Sequence, residues 1–205
     1  MNCSPWWQVR LTFMVALVLT ASGLNGQYLP RVSPEAAGLN ATRLAGIEQL
    51  VRKAIDERKM PGCTICVGRH GKIAFLESFG QRQTSPNPEP MTTDTLFDLA
   101  SLTKPVATAT SIMKLVEDGQ VRLGDRVARF FPEFGVNGKD KITIRDLLIH
   151  QSGLIPDNSL RDYQDGLEQS WQNICDLKPI SARGEKFAYT DVGFIVLGKL
   201  VERVS

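Results

Sequence analysis

The segment from Cys63 to Phe79 constrains the fold more than any other stretch of this chain. Cys63 to Gly68 (CTICVG) and Lys72 to Phe79 read as strands, and only Arg69-His70-Gly71 separates them. Strands joined by so tight a turn must run antiparallel, because a parallel pair needs a crossover of roughly a dozen residues or more. Parallel βαβ architecture is therefore the second choice for this chain. Upstream, Leu39 to Lys59 places Leu44, Ile47, Leu50, Val51, Ala54 and Ile55 at helical spacing, with Asn40 or Thr42 as N-cap and Pro61-Gly62 as the stop. The globular part thus opens as a long amphipathic helix followed by an antiparallel hairpin.

Beyond the hairpin, Gln83 to Pro90 holds three prolines and no apolar residue and reads as a surface loop. A helical pattern then runs from Ser101 through Ile112, Met113, Leu115 and Val116 to a stop at Gly119. Val121 to Phe134 is short and broken. Thr143 to His150 (TIRDLLIH) begins with an N-cap threonine followed three residues later by Asp146, which predicts a short helix ended by Gly153. Val192 to Val204 is helical again.

The first 26 residues stand apart. Arg10 is their only charge, and Leu11 to Ala21 is a nearly unbroken apolar run followed by the small residues Ser22 and Gly23. This is the pattern of a signal peptide, shorter than the ~20 apolar residues of a membrane-spanning helix. The expectation is a secreted or periplasmic protein with residues 27–205 as one domain, touching a membrane only if the segment stays uncleaved. Cleavage removes Cys3 and leaves Cys63, Cys66 and Cys175, an odd number, so no disulfide framework is expected. Cys63 and Cys66 point to opposite faces of a strand and cannot converge on a metal, which leaves them as small core residues.

Composition narrows the partners. The chain has 205 residues, 42% hydrophobic and 22% charged, with 24 Lys+Arg against 22 Asp+Glu for a net charge of +2. No Lys/Arg cluster with interleaved aromatics occurs, so nucleic acid is not an expected partner. A small molecule is. The sequence has no G-x-S-x-G, P-loop, G-x-G-x-x-G or H-E-x-x-H pattern, and neither cofactor nor metal is expected. Of its two histidines, His70 falls in the hairpin turn, so a Ser-His-Asp triad would have to use His150.

Ser101-Leu102-Thr103-Lys104 is the informative tetrapeptide. Its i, i+3 spacing puts a hydroxyl and an amine on one helical face, as a nucleophile and its proton partner require. For Lys104 to act as the base it must be neutral, so its pKa would have to fall from about 10.4 towards 7. By itself the pattern is weak, since an N-cap serine and a solvated lysine produce it too.

The surroundings give it weight. Ser101 to Lys104 followed by Pro105, then His150-Gln151-Ser152-Gly153-Leu154, then Gly184 to Phe194 (GEKFAYTDVGF) and Leu197-Gly198, together resemble the serine beta-lactamase-related family. That family holds class C beta-lactamases, D-alanyl-D-alanine carboxypeptidases and esterases. The helix-hairpin opening matches its N-terminal half, so the resemblance covers about residues 40–205. It implies an α/β (α+β) sandwich, with an antiparallel sheet flanked by helices and a helical subdomain carrying the S-x-x-K helix. It implies Ser101 as acylated nucleophile, Lys104 as its proton partner and Tyr189 as the tyrosine of the Y-x-N element. A tyrosine beside a cationic lysine can be held partly as phenolate and take the serine proton. Asp191 stands where the lactamases carry asparagine, keeping an acceptor for Lys104 but losing an amide donor, which favours an esterase or peptidase over a true beta-lactamase. By the resemblance the segment around His150 is structural. Glu185 and Lys186 read as solvated charges, and Trp171 as a pocket or core aromatic.

The family's third element, a K-T-G or H-x-G triplet, does not occur between Asp191 and Ser205. The expectation is the N-terminal part of a larger protein with little activity alone, since losing one oxyanion donor costs about 10²- to 10³-fold. The expected function is acyl-enzyme hydrolysis of an ester, a cell-wall peptide or a beta-lactam. The alternative is an inactive fragment or a penicillin-recognising binding module.

Overall fold

A computed structural model describes residues 29–205; the segment expected to be a signal peptide lies outside them. The described chain forms two compact units, divided between Phe97 and Asp98.

The first unit is one helix and one small sheet. Helix α1 (Ala41–Asp56) starts where Asn40 Oδ1 accepts the Arg43 N–H at 2.9 Å, closing the open first turn. Strands β1 (Gly62–Arg69) and β2 (Lys72–Gln83) pair antiparallel, with Cys63 opposite Phe79 and Arg69 opposite Lys72. Their turn has His70 at φ 51° and Gly71 at φ 69°, the left-handed pair that matches the twist of a two-residue hairpin. Thr64 and Ser78, directly opposite, are hydrogen-bonded through their hydroxyls at 3.0 Å. Strand β2 outruns its apolar pattern and pairs with a two-residue β3 (Glu89–Pro90), so the proline-rich segment is a loop only up to its last residues. Arg82 holds Glu89 at 2.7 Å across that pair.

Val51, Ala74 and Phe79 are the buried apolar contacts of α1 and the sheet. The expectation that Cys63 and Cys66 are core residues needs correction. Cys63 is half-buried and Cys66 is exposed, whereas Cys175 is buried, since the first two lie on a strand of a sheet too small to enclose them.

The second unit is helical throughout. Helices α2 (Thr110–Glu117), α3 (Ile144–Leu148), α4 (Leu167–Asp176) and α5 (Asp191–Val204) are linked by 3₁₀ turns and loops. Its core takes Ile112 from α2, Ile144 and Leu147 from α3, Ile174 and Cys175 from α4, and Val192, Val196, Leu197 and Leu200 from α5, all at most 1% exposed. The α5 residues recur at i, i+4, i+5 and i+8, one stripe of a helix facing inward. Burial of each large aliphatic side chain contributes roughly 1.5–3 kcal/mol. Helix α3 carries a full capping box: Thr143 Oγ1 accepts the Asp146 N–H at 3.3 Å, and Asp146 Oδ2 accepts the Thr143 N–H at 2.8 Å.

Two polar features in this core left no sequence signal. Lys139 is fully buried, its Nζ donating to the carbonyls of Val136, Cys175 and Leu177, so one ammonium satisfies three carbonyls and ties its own turn to the end of α4. Asp146 also receives Arg183 Nε at 2.7 Å and Nη2 at 3.2 Å. That ion pair ties α3 to the loop leading into Tyr189.

Candidate active site

The helical pattern from Ser101 does not form one α-helix. Ala100–Leu102 is a 3₁₀ turn, Lys104–Ala109 is a π-type turn, and α-helical bonding begins only at Thr110. Pro105 explains the break, because it has no N–H to return to the carbonyl four residues back. The turn opens on Ala100 at φ 42°, a left-handed conformation unfavourable for alanine, where the Ala100 N–H donates to Asp98 Oδ1 at 2.9 Å. Residues three apart on a helical segment share one face. Lys104 Nζ accordingly donates to Ser101 Oγ at 3.2 Å.

The other two site residues arrive on a loop built by backbone pairing. The segment from His150 to Pro156 runs beside residues 180–191. Ile180 N–H donates to Gly153 O at 2.9 Å, Gly184 N–H to Gln151 O at 2.8 Å, Ala188 N–H to His150 O at 2.9 Å and Asp191 N–H to Pro156 O at 2.7 Å. Gly153 is required here: at φ 81° it tolerates no Cβ, which would collide with the Ser181 carbonyl. Thr190 caps α5, accepting the Gly193 N–H at 3.2 Å while its hydroxyl donates to Ile155 O at 2.7 Å. With Thr190 as N-cap, Tyr189 projects just before the helix and Asp191 is its first residue.

The structure brings Ser101, Lys104, Tyr189 and Asp191 together. Asp191 Oδ1 lies 2.6 Å from Lys104 Nζ, which sits 5.0 Å from the centre of the Tyr189 ring and 5.9 Å from that of Phe194. The Lys104 side chain is 14% exposed. The charge state runs opposite to the requirement for a lysine base. The hydrogen bond to Asp191 outweighs burial and, with Tyr189, raises the Lys104 pKa above its ordinary value. Lys104 is a cation. Tyr189 is moved the other way: hydrogen bonding to Ser101, then to Lys104, together with the lysine charge, lowers its phenol pKa, against a smaller opposing effect of Asp191. Of the two groups it is the phenol that is shifted towards giving up its proton.

Among the described residues, no group of three or more His, Cys, Asp or Glu side chains is placed to hold a metal ion. No helix among them is long and apolar enough to cross a membrane. His70 and the charged residues Glu185 and Lys186 are exposed. Trp171 packs edge-on against Phe131 at 4.9 Å and donates to Glu133 Oε1 at 3.0 Å, away from the Ser101 cluster.

The profile of the beta-lactamase family matches residues 47–205. The chain belongs to the beta-lactamase family. It is 28% identical over 193 residues to the N-acetylmuramyl-L-alanine amidase of Bacillus subtilis strain 168, covering 85% of this chain and 44% of that protein. It is 32% identical over 196 residues to the esterase EstB of Burkholderia gladioli, covering 85% of this chain and 49% of that one. The chain thus spans about half the length of the curated relatives it matches. Among solved structures it resembles the octameric penicillin-binding protein homologue of Pyrococcus abyssi, with a TM-score of 0.69 and 28% identity over 78% of this chain and 39% of that one. The fold is that of the beta-lactamases and penicillin-binding proteins, of which the described residues form a part.

For one residue of this beta-lactamase-family site, sequence supplied only a structural reading and not its contacts. His150 Nδ1 accepts the Thr190 N–H at 3.1 Å, and its ring lies 4.5 Å from that of Tyr189 and 5.1 Å from that of Phe194. A histidine at the end of a short apolar helix carries no signal of which way it faces. The indication was its place two residues beyond α3 and three before a glycine, where the chain must turn back.

Proposed function

We propose that this chain carries the nucleophile half of a serine hydrolase site that works through an acyl-enzyme, with Ser101 as nucleophile, Tyr189 as base and acid, and Lys104 as a permanent cation. The observation that carries this reading is the opposed charge tuning of Lys104 and Tyr189 around one hydroxyl. Tyr189 as phenolate takes the Ser101 Oγ–H proton while Oγ bonds to the acyl carbon. The tetrahedral intermediate then collapses, and Tyr189 returns that proton to the departing oxygen or nitrogen. Water attacks the ester so formed, Tyr189 again taking its proton, and Ser101 is regenerated. Lys104 holds the phenolate form through its charge and points the Ser101 lone pair by donating to Oγ. Ser101 stands in the opening turn of a helical segment, where the N–H groups and dipole favour a developing oxyanion.

Asp191 keeps Lys104 charged but offers no amide donor to a substrate carbonyl, which favours esters and peptides over beta-lactams. The matched relatives include proteins named as an amidase, an esterase and putative D-alanyl-D-alanine carboxypeptidases, in keeping with acyl transfer from nitrogen or oxygen. No cofactor or metal takes part in this scheme. Residues 1–26 are read as an export signal, which places residues 27–205 outside the cytoplasm as one domain. The test is covalent: the chain is incubated with a fluorophosphonate and, separately, with a fluorescent penicillin, and read by intact mass beside Ser101→Ala. One adduct, absent in Ser101→Ala, is expected. A folded chain that takes up neither reagent overturns the reading in favour of an inactive fragment.

A further inference from the structure

We propose that His150 is the positioning residue for Tyr189 and that it does this only as the neutral imidazole. The inference rests on the serine hydrolase reading for its kinetic consequence, but its geometry is independent of it. The peptide N–H of Thr190, the link that directly follows Tyr189, donates to His150 Nδ1 at 3.1 Å, so this nitrogen must carry a lone pair. The His150 backbone makes a second attachment, its carbonyl accepting the Ala188 N–H at 2.9 Å. One histidine therefore holds the peptide that follows Tyr189 and the one that precedes Ala188, while its ring lies against the phenol at 4.5 Å and 31°. Its own backbone is held at φ 56°, a left-handed conformation that few residues adopt without a tertiary reason.

The ring is packed by Phe187 at 5.6 Å, Tyr189 and Phe194. The charges that bear on it are Lys104 and Asp191. Burial first, and then the Lys104 cation, lower the His150 pKa, against a smaller opposing effect of Asp191. Protonation at Nδ1 would set a donor against the Thr190 donor and add a second cation beside Lys104. The hold on Tyr189 would be lost and the loop from Ala188 to Thr190 released.

His150→Asn and His150→Ala separate this from a purely structural role. The asparagine Oδ1 can stand where Nδ1 stands, as an acceptor that does not titrate; alanine offers none. In the whole chain, the logarithm of the Ser101 phosphonylation rate should fall with a slope of about one as pH drops below the Tyr189 pKa, and steepen to about two below the His150 pKa. His150→Asn should keep the slope of about one and the neutral-pH rate to within about threefold, whereas His150→Ala should be about tenfold slower. A His150→Asn variant that retains the steep acid limb overturns the proposal.

An ultraviolet difference titration of tyrosinate, with Tyr189→Phe as blank, decides the matter even if Ser101 takes up no reagent. The Tyr189 transition should move upward in His150→Ala and return in His150→Asn. A transition unchanged in both variants overturns the proposal without touching the hydrolase reading, and an unlabelled wild type with the expected titration overturns the hydrolase reading alone. If His150→Ala does not fold, as judged by near-ultraviolet dichroism, the asparagine variant decides through the acid limb. Where Ser101 takes up no reagent, it decides through the acid side of the Tm against pH curve, from which the His150 contribution should be absent; a curve identical to wild type overturns the proposal.

Discussion

Replacing Asp146 by alanine should destabilise the helical unit by about 2–3 kcal/mol. The Asp146 carboxylate, 6% exposed as a residue, accepts from Thr143 N at 2.8 Å, Thr143 Oγ1 at 2.6 Å, Arg183 Nε at 2.7 Å and Arg183 Nη2 at 3.2 Å. The cap bond from the Asp146 N–H to Thr143 Oγ1 survives, but the reciprocal half of the capping box is lost, and the Thr143 N–H and hydroxyl left without their acceptor cost about 1–2 kcal/mol. The Arg183 side chain is 46% exposed, so solvent screens the pair and limits its share to about 1 kcal/mol or less. For a chain of this size the sum lowers Tm by roughly 5–10 °C at pH 7. The double-mutant cycle with Arg183→Ala, followed by thermal melts and urea unfolding, isolates the pair and should give a coupling of about 0.5–1 kcal/mol. Burial pushes the Asp146 carboxyl upward, but the Arg183 and Thr143 hydrogen bonds outweigh it and hold the pKa below the usual carboxylate value. The stabilisation is therefore complete above the unfolded value of about 3.9 and is lost as pH falls from there through the folded value, narrowing the gap between wild type and Asp146→Ala. A Tm change below about 1 °C, against the roughly 2–4 °C expected per kcal/mol, or strict additivity in the cycle, would refute the reasoning.

Gly153→Ala should cost about 2–3 kcal/mol, since the new Cβ meets the Ser181 carbonyl at a left-handed φ of 81°; a melt unchanged from wild type would contradict this. Lys139→Met should be at least as damaging as a typical core lesion, about 3 kcal/mol, because three carbonyls lose their only shared donor, and urea unfolding reads it. In the native protein an alkylating reagent should modify Cys66 well before Cys175, which is buried and whose thiol burial pushes up to about 12; peptide mass mapping would show the order, and equal rates would contradict the burial. His150 contributes acid lability: its folded pKa lies below the unfolded value of about 6.5, so stability falls as pH drops from there through the folded pKa, and His150→Asn should remove that part of the pH dependence of Tm.

The elements that sequence revealed are those whose cause is local. The Asn40 cap, the His70-Gly71 turn and the Thr143–Asp146 capping box each lie within a few residues of their consequence, and each was legible. Ser101 and Lys104 were legible for the same reason. The broken helix after them was signalled by Pro105, but helical periodicity masked it. Lys139, Arg183 and His150 were not legible, because their partners lie 36 to 40 residues away in the chain and nothing local marks a lysine as buried or a histidine as an acceptor. The charge states of Lys104 and Tyr189 belong to the same class: that of Lys104 follows from Asp191, which reaches it only once α5 is docked, and that of Tyr189 from Ser101 and Lys104, far away in the chain. Cys66 shows the converse, a small apolar strand residue that the structure leaves exposed.

The central claim is that Tyr189, and not Lys104, takes the proton from Ser101. It is tested most directly by the rate of Ser101 phosphonylation against pH in the wild type and in Tyr189→Phe, read by intact mass. The account predicts a wild-type rate that climbs with pH to a plateau set by a phenol pKa below its ordinary value of about 10, and loss of that climb in Tyr189→Phe. A climb that survives in Tyr189→Phe would place the proton on Lys104 and contradict the account.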